Sequence, residues 1–246
     1  MKGSVEVVEP KMFAGVVADE IVASISDAIS DRGRCSIALA GGRTPAVVYR
    51  MLSKPGRVEE VEWSKVALYV GDERWVPTTD DQSNFNMIKE ALLQDLRSRK
   101  PQAYPVDTSL ATPEEGAAAY EALIRKNEGE NPSFDIVLLG IGEDGHTASL
   151  FPGSELITKP SGGIYRAVKS SDGAGHRVTI TPEVLRSAKR IIFIVRGNNK
   201  AEVLGRVING VDSVEVLPAR LADACEGKVT FFVDSEAGIR LAKRGV

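Results

Sequence analysis

Apolar positions along this chain follow two alternating patterns. Short, nearly continuous apolar runs at 35–40, Val66–Val70, 135–139, 191–195 and 229–233 have the length and branched side chains of strands buried on both faces. Between them the apolar residues recur at helical spacing. Phe13, Val16, Val17, Ile21, Ile25, Ala28 and Ile29 mark a long amphipathic helix over 12–31. The same spacing predicts helices over 45–52, 85–96, 113–126, 200–209 and 235–243, and a short one from Pro182. Pro45 suits a first helical turn, where its missing N–H costs nothing, and Thr112 is placed to cap the helix that follows it. Ser4–Val8 and His176–Ile180 also read as strands. Residues 153–176, rich in Gly, Ser and Pro, are expected to be irregular and to include a hairpin.

Strands alternating with helices predict an α/β fold, a doubly wound and mostly parallel sheet flanked by helices. No repeat, low-complexity tract or linker interrupts the pattern, so residues 1–246 are read as one domain with a small elaboration around 153–180.

Composition narrows the function. The 246 residues carry a net charge of −3, which argues against a general nucleic-acid binder, so positive groups that meet an anionic ligand must be local. No apolar run approaches the ~20 residues that span a bilayer, and the N-terminus lacks a secretory apolar region. Cys35 and Cys225 are few and far apart, as expected of buried thiols in a reducing compartment. The expectation is a cytoplasmic protein with no nucleic-acid or membrane partner.

Candidate chemistry gathers at strand ends, where ligands bind in open α/β sheets. Four expected strands run into glycine followed by functional side chains: Gly41-Gly42-Arg43-Thr44, Gly71-Asp72-Glu73-Arg74, Gly140 through Asp144-Gly145-His146, and Arg196-Gly197-Asn198-Asn199-Lys200. Each alone is compatible with an ordinary turn; four on one edge point to a shared site. The first turn precedes a helix, so its N–H groups and the helix dipole favour an anion, with Thr44 adding a hydroxyl. His146 is one of two histidines in the chain, and a histidine leaving a core strand is a candidate for proton chemistry.

Two other readings fail. Gly140-Ile141-Gly142-Glu143-Asp144-Gly145 matches the dinucleotide fingerprint. Yet Glu143 and Asp144 would set negative charge beside a pyrophosphate, Pro152 cuts short the following helix, and no acid lies between Leu156 and Ser171 to bind a ribose. A metal site is also unsupported: His146 and His176 are far apart in sequence and neither cysteine has a neighbouring ligand. No cofactor or metal is expected.

Taken together, Gly41-Gly42-Arg43-Thr44-Pro45, Gly71-Asp72-Glu73-Arg74, Ser83-Asn84 and the long run from Gly140 through Gly142, His146, Thr147 and Ser149 to Pro152 resemble the 6-phosphogluconolactonase family. The motifs come in that family's order, and similarity continues through His176-Arg177-Val178-Thr179, Lys200 and Pro218-Ala219-Arg220, so it spans nearly the whole chain. The related glucosamine-6-phosphate deaminases share a similar glycine turn and Asp-Gly-His, but typically continue Ile-Ala-Phe-Asn-Glu-Pro where this chain has Thr147-Ala148-Ser149-Leu150-Phe151-Pro152. Ala40 departs from both families, which usually carry serine there.

The resemblance implies a Rossmann-like fold similar to that of the deaminases, and hydrolysis of 6-phospho-D-glucono-1,5-lactone without a cofactor. It implies His146 as general base, oriented by Asp144 or alternatively Asp72, and Arg74 at the developing oxyanion. Gly41, Gly42, Arg43, Thr44, Gly142, Arg177 and Lys200 are then expected to bind substrate and its phosphate. The expected partner is a small sugar-phosphate lactone, and the expected state a monomer or weak homodimer. A deaminase-like enzyme and a sugar-phosphate sensor without turnover are the alternatives.

Overall fold

The computed structural model describes residues 2–96, 98–99, 101–159, 161–170, 173 and 175–241. In chain order the elements are β1 (Ser4–Val8), α1 (Phe13–Arg32), β2 (Cys35–Leu39), α2 (Arg43–Leu52), β3 (Val66–Val70), β4 (Asp72–Arg74), α3 (Asn84–Ile88) and β5 (Gln102–Tyr104). They continue with α4 (Pro113–Glu128), β6 (Ile136–Leu139), α5 (Glu155–Thr158), β7 (Tyr165–Lys169), β8 (His176–Ile180), α6 (Pro182–Ser187), β9 (Arg190–Val195), α7 (Ala201–Asn209) and β10 (Lys228–Asp234).

Seven strands form one sheet in the order β1-β10-β9-β6-β2-β3-β5, and every neighbouring pair is parallel. This is the doubly wound α/β sheet the sequence predicts. Alternate residues face opposite layers. Ile37, Leu39, Ile136, Leu138, Ile192 and Phe232 pack with α1, α2 and the segment after α3. Ala38, Val137, Leu139, Phe193 and Phe231 face α4, α6, α7 and the hairpin. The central strands β2 and β6 are buried along their whole length, whereas the edge strand β1 is partly open.

The hairpin expected within 153–176 is real, and extends further. Strands β7 and β8 pair antiparallel, and β8 also pairs with β4 to make a separate three-stranded sheet. The chain passes into it directly from β3, with Gly71 accepting a bond from the Ile180 N–H at 2.9 Å. Strand β4 is Asp-Glu-Arg, with no apolar signal for a sequence reading to detect. The short edge strand β5 likewise escaped prediction.

Three helices differ from expectation. The helix expected over 85–96 is one α-turn, Asn84–Ile88, continued by a wider π-turn over Lys89–Leu93. The helix expected from Lys200 starts at Ala201, after a 3₁₀ turn over Asn198–Lys200. The expected terminal helix is a 3₁₀ turn over Ala237–Arg240, and the last residues of that expectation lie outside the described ones. Among the described residues no helix is long and apolar enough to cross a membrane.

Candidate active site

The carboxyl ends of β2, β3 and β6 open into a cavity of about 240 Å³. After β2, Ala40, Gly41 and Gly42 form one wall, and the segment from Gly71 to Arg74 forms the next. The turn after β6 contributes Gly140, Gly142, His146 and Ala148. Asn84 from the start of α3, Arg177 from β8 and Lys200 before α7 complete the lining.

The turn after β6 is held by backbone hydrogen bonds, both within it and from the segment before β10. The Gly142 N–H donates to the His146 carbonyl at 2.8 Å, and the Ala219 N–H donates to the Gly145 carbonyl at 3.0 Å. Gly145 has φ +88°, and a side chain there would run into Leu217, so glycine is required twice over. Thr147 Oγ1 donates to the Gly140 carbonyl at 2.9 Å. Ala148, at φ 49°, is the only non-glycine residue with positive φ among the described residues. Such a conformation costs roughly 1–3 kcal/mol and clusters at functional sites.

This turn presents His146 with a carboxylate behind it. His146 Nδ1 lies 2.6 Å from Asp144 Oδ1, and the same oxygen accepts the His146 N–H at 3.1 Å. A carboxylate only accepts, so Nδ1 is the donor of this contact, and in the neutral tautomer that fits it the lone pair is on Nε2. Gly142 makes the pair possible: a Cβ there would overlap the imidazole and stand 2.6 Å from Asp144 Oδ1. The imidazole packs on Phe151, with ring centroids 5.1 Å apart, and the Arg177 guanidinium lies 5.7 Å from the same phenyl centroid.

Positive charge is concentrated opposite. Arg74 on β4 and Arg177 on β8 are direct cross-strand partners. Like charges directly opposite on a strand pair are destabilising by themselves. Arg74 Nη1 donates to the Gln82 carbonyl at 2.6 Å, while its buried Nε has no hydrogen-bond partner among the described residues. Lys200 lines the same cavity and has no ion pair among the described residues.

Beneath the arginines lies a polar layer. Glu73 is buried and accepts from the N–H groups of Arg74 (2.8 Å), Asn84 (2.7 Å) and Phe85 (2.8 Å) and from Ser83 Oγ (3.0 Å). Burial pushes its carboxyl above the usual range, and those donors oppose the shift. The network fixes Asn84, whose Nδ2 donates to the Asp72 carbonyl at 2.7 Å. A Cβ on Gly41 would collide with the Asn84 amide, so Gly41 lets strand β2 and α3 meet.

Gly41, Gly42, Asp72, Arg74, Gly142, His146, Arg177 and Lys200 therefore meet around one cavity, as their sequence motifs suggest. Asp144 stands behind the imidazole. Three expectations need correction. Arg43 and Thr44 do not line this cavity: α2 begins at Arg43 and turns it into a neighbouring groove with Arg50. Asp72 does not orient the imidazole, because its carboxylate is engaged by Ser149 Oγ at 2.6 Å and faces Asn84 Nδ2 at 3.5 Å. Sequence reasoning assigned no role to Asn84, Ser149, Phe151 or Glu73. The only signal was their presence in motifs already singled out. Among the described residues no three His, Cys, Asp or Glu side chains gather to hold a metal ion.

The fold and site define an α/β protein with a doubly wound sheet whose strand ends gather a carboxylate–imidazole pair and three cationic side chains. Residues 9–231 match the family described as glucosamine-6-phosphate isomerases/6-phosphogluconolactonase. A 6-phosphogluconolactonase of Synechocystis sp. is 33% identical over 225 residues, covering 90% of each chain. The solved 6-phosphogluconolactonase of Trypanosoma cruzi superposes with a TM-score of 0.85 at 32% identity, over 98% of this chain and 97% of its own. A monomeric glucosamine-6-phosphate deaminase has the same fold, with a TM-score of 0.80 at 21% identity over 96% of this chain and 99% of its own. The chain belongs to the glucosamine-6-phosphate isomerase/6-phosphogluconolactonase family.

Proposed function

We propose that this chain hydrolyses 6-phospho-D-glucono-1,5-lactone to 6-phospho-D-gluconate, the second step of the oxidative pentose phosphate pathway. The observation that carries the reading is the Asp144–His146 pair, 2.6 Å apart, at the mouth of a cavity that also holds Arg74, Arg177 and Lys200. A lactone carbonyl needs an attacking water, a base, and stabilisation of the oxyanion.

His146 Nε2 takes a proton from water as the water oxygen bonds to the carbonyl carbon. The tetrahedral intermediate then expels the ring oxygen, which receives that proton back from the imidazolium. Such acid–base work contributes ~10²–10⁴-fold in rate. Asp144 keeps the imidazole in the productive tautomer and stabilises the imidazolium. Arg74 stabilises the developing oxyanion. The phosphate lies toward Arg177 and Lys200 with the Gly41–Gly42 backbone, so binding far from the reacting bond positions it. The cross-strand arginine pair suits such a dianionic ligand.

A cytoplasmic setting belongs to the same proposal, supported by two buried cysteines without a disulfide. The test is to supply the phospholactone and, separately, glucosamine 6-phosphate. Lactone opening above the spontaneous rate, with no ammonia released from the amino sugar, is expected. Ammonia release with no lactone opening would establish the deaminase alternative.

A further inference from the structure

The cavity is lined by one titratable side chain that the proposed reaction leaves without a task. Asp72 lines it, is only 7% exposed, and has no ion-pair partner among the described residues. A buried carboxylate without a cation is costly. Inside an anion-binding cavity it also opposes the charge that Arg74, Arg177 and Lys200 supply. Its position is nonetheless rigidly specified. Oδ2 accepts from Ser149 Oγ at 2.6 Å, and Oδ1 faces Asn84 Nδ2 at 3.5 Å. Ser149 is itself fully buried, follows the strained Ala148, and donates its N–H to Thr179 Oγ1 at 3.1 Å.

A carboxylate offers about four lone-pair sites and the contacts with Ser149 and Asn84 occupy two, so acceptor capacity is left on a residue that lines the cavity. The chemistry that suits an acceptor beside an anion site is a neutral donor on the same ligand, a hydroxyl. We infer that Asp72 is a specificity-determining residue that accepts a hydrogen bond from a ring hydroxyl of the substrate, held in place by Ser149 and Asn84. The inference rests on the lactonase reading and adds to it which part of the sugar is recognised.

The experiment compares kcat/KM for the phospholactone with its 2-, 3- and 4-deoxy analogues, in wild type, Asp72→Asn, Asp72→Ala and Ser149→Ala. Wild type is expected to lose about 10- to 100-fold on one analogue, the size of a hydrogen bond to a charged group. In Asp72→Ala the parent lactone falls to the level of that analogue and the ratio approaches one, with Asp72→Asn and Ser149→Ala in between. A merely structural role would lower parent and analogue alike, and an unchanged ratio in the variants overturns the inference. So does a lost limb in the pH profile of Asp72→Asn with discrimination intact, which would make Asp72 a proton carrier. Should the Asp72 variants not fold, wild type alone decides, because loss of less than about twofold on all three analogues removes the hydroxyl contact. A wild type inert toward the parent lactone defeats the lactonase reading itself; an active wild type with unchanged ratios defeats only the role of Asp72.

Discussion

Replacing Gly142 with alanine adds one carbon beneath the Asp144–His146 pair. The backbone tolerates it, since Gly142 is not among the residues of positive φ. The obstacle is the pair itself: the new Cβ overlaps His146 Nδ1 and Cε1 and would stand 2.6 Å from Asp144 Oδ1. Ordinary contact needs about 3.5 Å, so the carboxylate must retreat by close to 1 Å and the imidazole, which is nearer, by more. Both side chains can do so, being 33% and 45% exposed for His146 and Asp144. The structural cost is therefore bounded by ordinary overpacking, about 1–3 kcal/mol, or a few degrees to roughly ten in melting temperature. The chemical cost is larger. A misplacement of about 1 Å costs ~10²-fold, and complete loss of the base up to ~10⁴-fold. Gly142→Ala is predicted to lower kcat by ~10²–10⁴-fold with KM changed less than about threefold. Lactone hydrolysis and thermal melts of the purified variant measure the two separately. Activity within threefold of wild type would refute the reasoning, because the pair could then be displaced without consequence.

Asp135 is buried at the opposite end of β6, where it accepts from Arg32 Nε at 3.1 Å and the Ser36 N–H at 2.7 Å, with Lys189 Nζ 3.4 Å away. Asp135→Ala strands those donors and is expected to cost ~3–5 kcal/mol in denaturant unfolding while leaving kcat of the folded protein unchanged. Burial raises the Glu121 carboxyl, but Arg125, the N–H groups of Ile164 and Tyr165, and Arg166 outweigh it, so its net shift is downward. A depressed carboxylate stabilises the fold above its ordinary value of 4.5 and loses that contribution as pH falls through its lower folded value. Glu121→Gln should melt lower at pH 7 and lose less stability than wild type between pH 5 and 3, as thermal melts across that range would read. Arg74→Lys keeps the charge but loses the planar fork that reaches Gln82, and is predicted to lower kcat by ~10²-fold, more than it raises KM in steady-state assays.

Where hydrophobic periodicity was strong, the sequence was enough to read the fold. The central strands β2, β3, β6, β9 and β10 and helices α1, α2 and α4 follow directly from apolar runs and helical spacing. Strand β4 could not be read, because Asp72, Glu73 and Arg74 carry no apolar alternation and become a strand only by pairing with β8. Within the site, residues adjacent in sequence to strand ends were legible, including His146, Arg74 and Gly142. Those brought in by tertiary contact were not. Asn84 reaches the cavity because Glu73 caps the start of α3, and Ser149 reaches Asp72 because Thr179 holds its backbone. Arg43 illustrates the reverse error, since adjacency to the glycine pair does not fix where a helix's first side chain points.

The central claim is that His146 is the base of a phospholactone hydrolase. Stopped-assay hydrolysis of 6-phospho-D-glucono-1,5-lactone by wild type and His146→Ala, each corrected for spontaneous opening, tests it most directly. Acceleration by wild type and a fall of ~10²–10⁴-fold in kcat for the variant, with the fold preserved, are expected. Undiminished turnover by His146→Ala would contradict it.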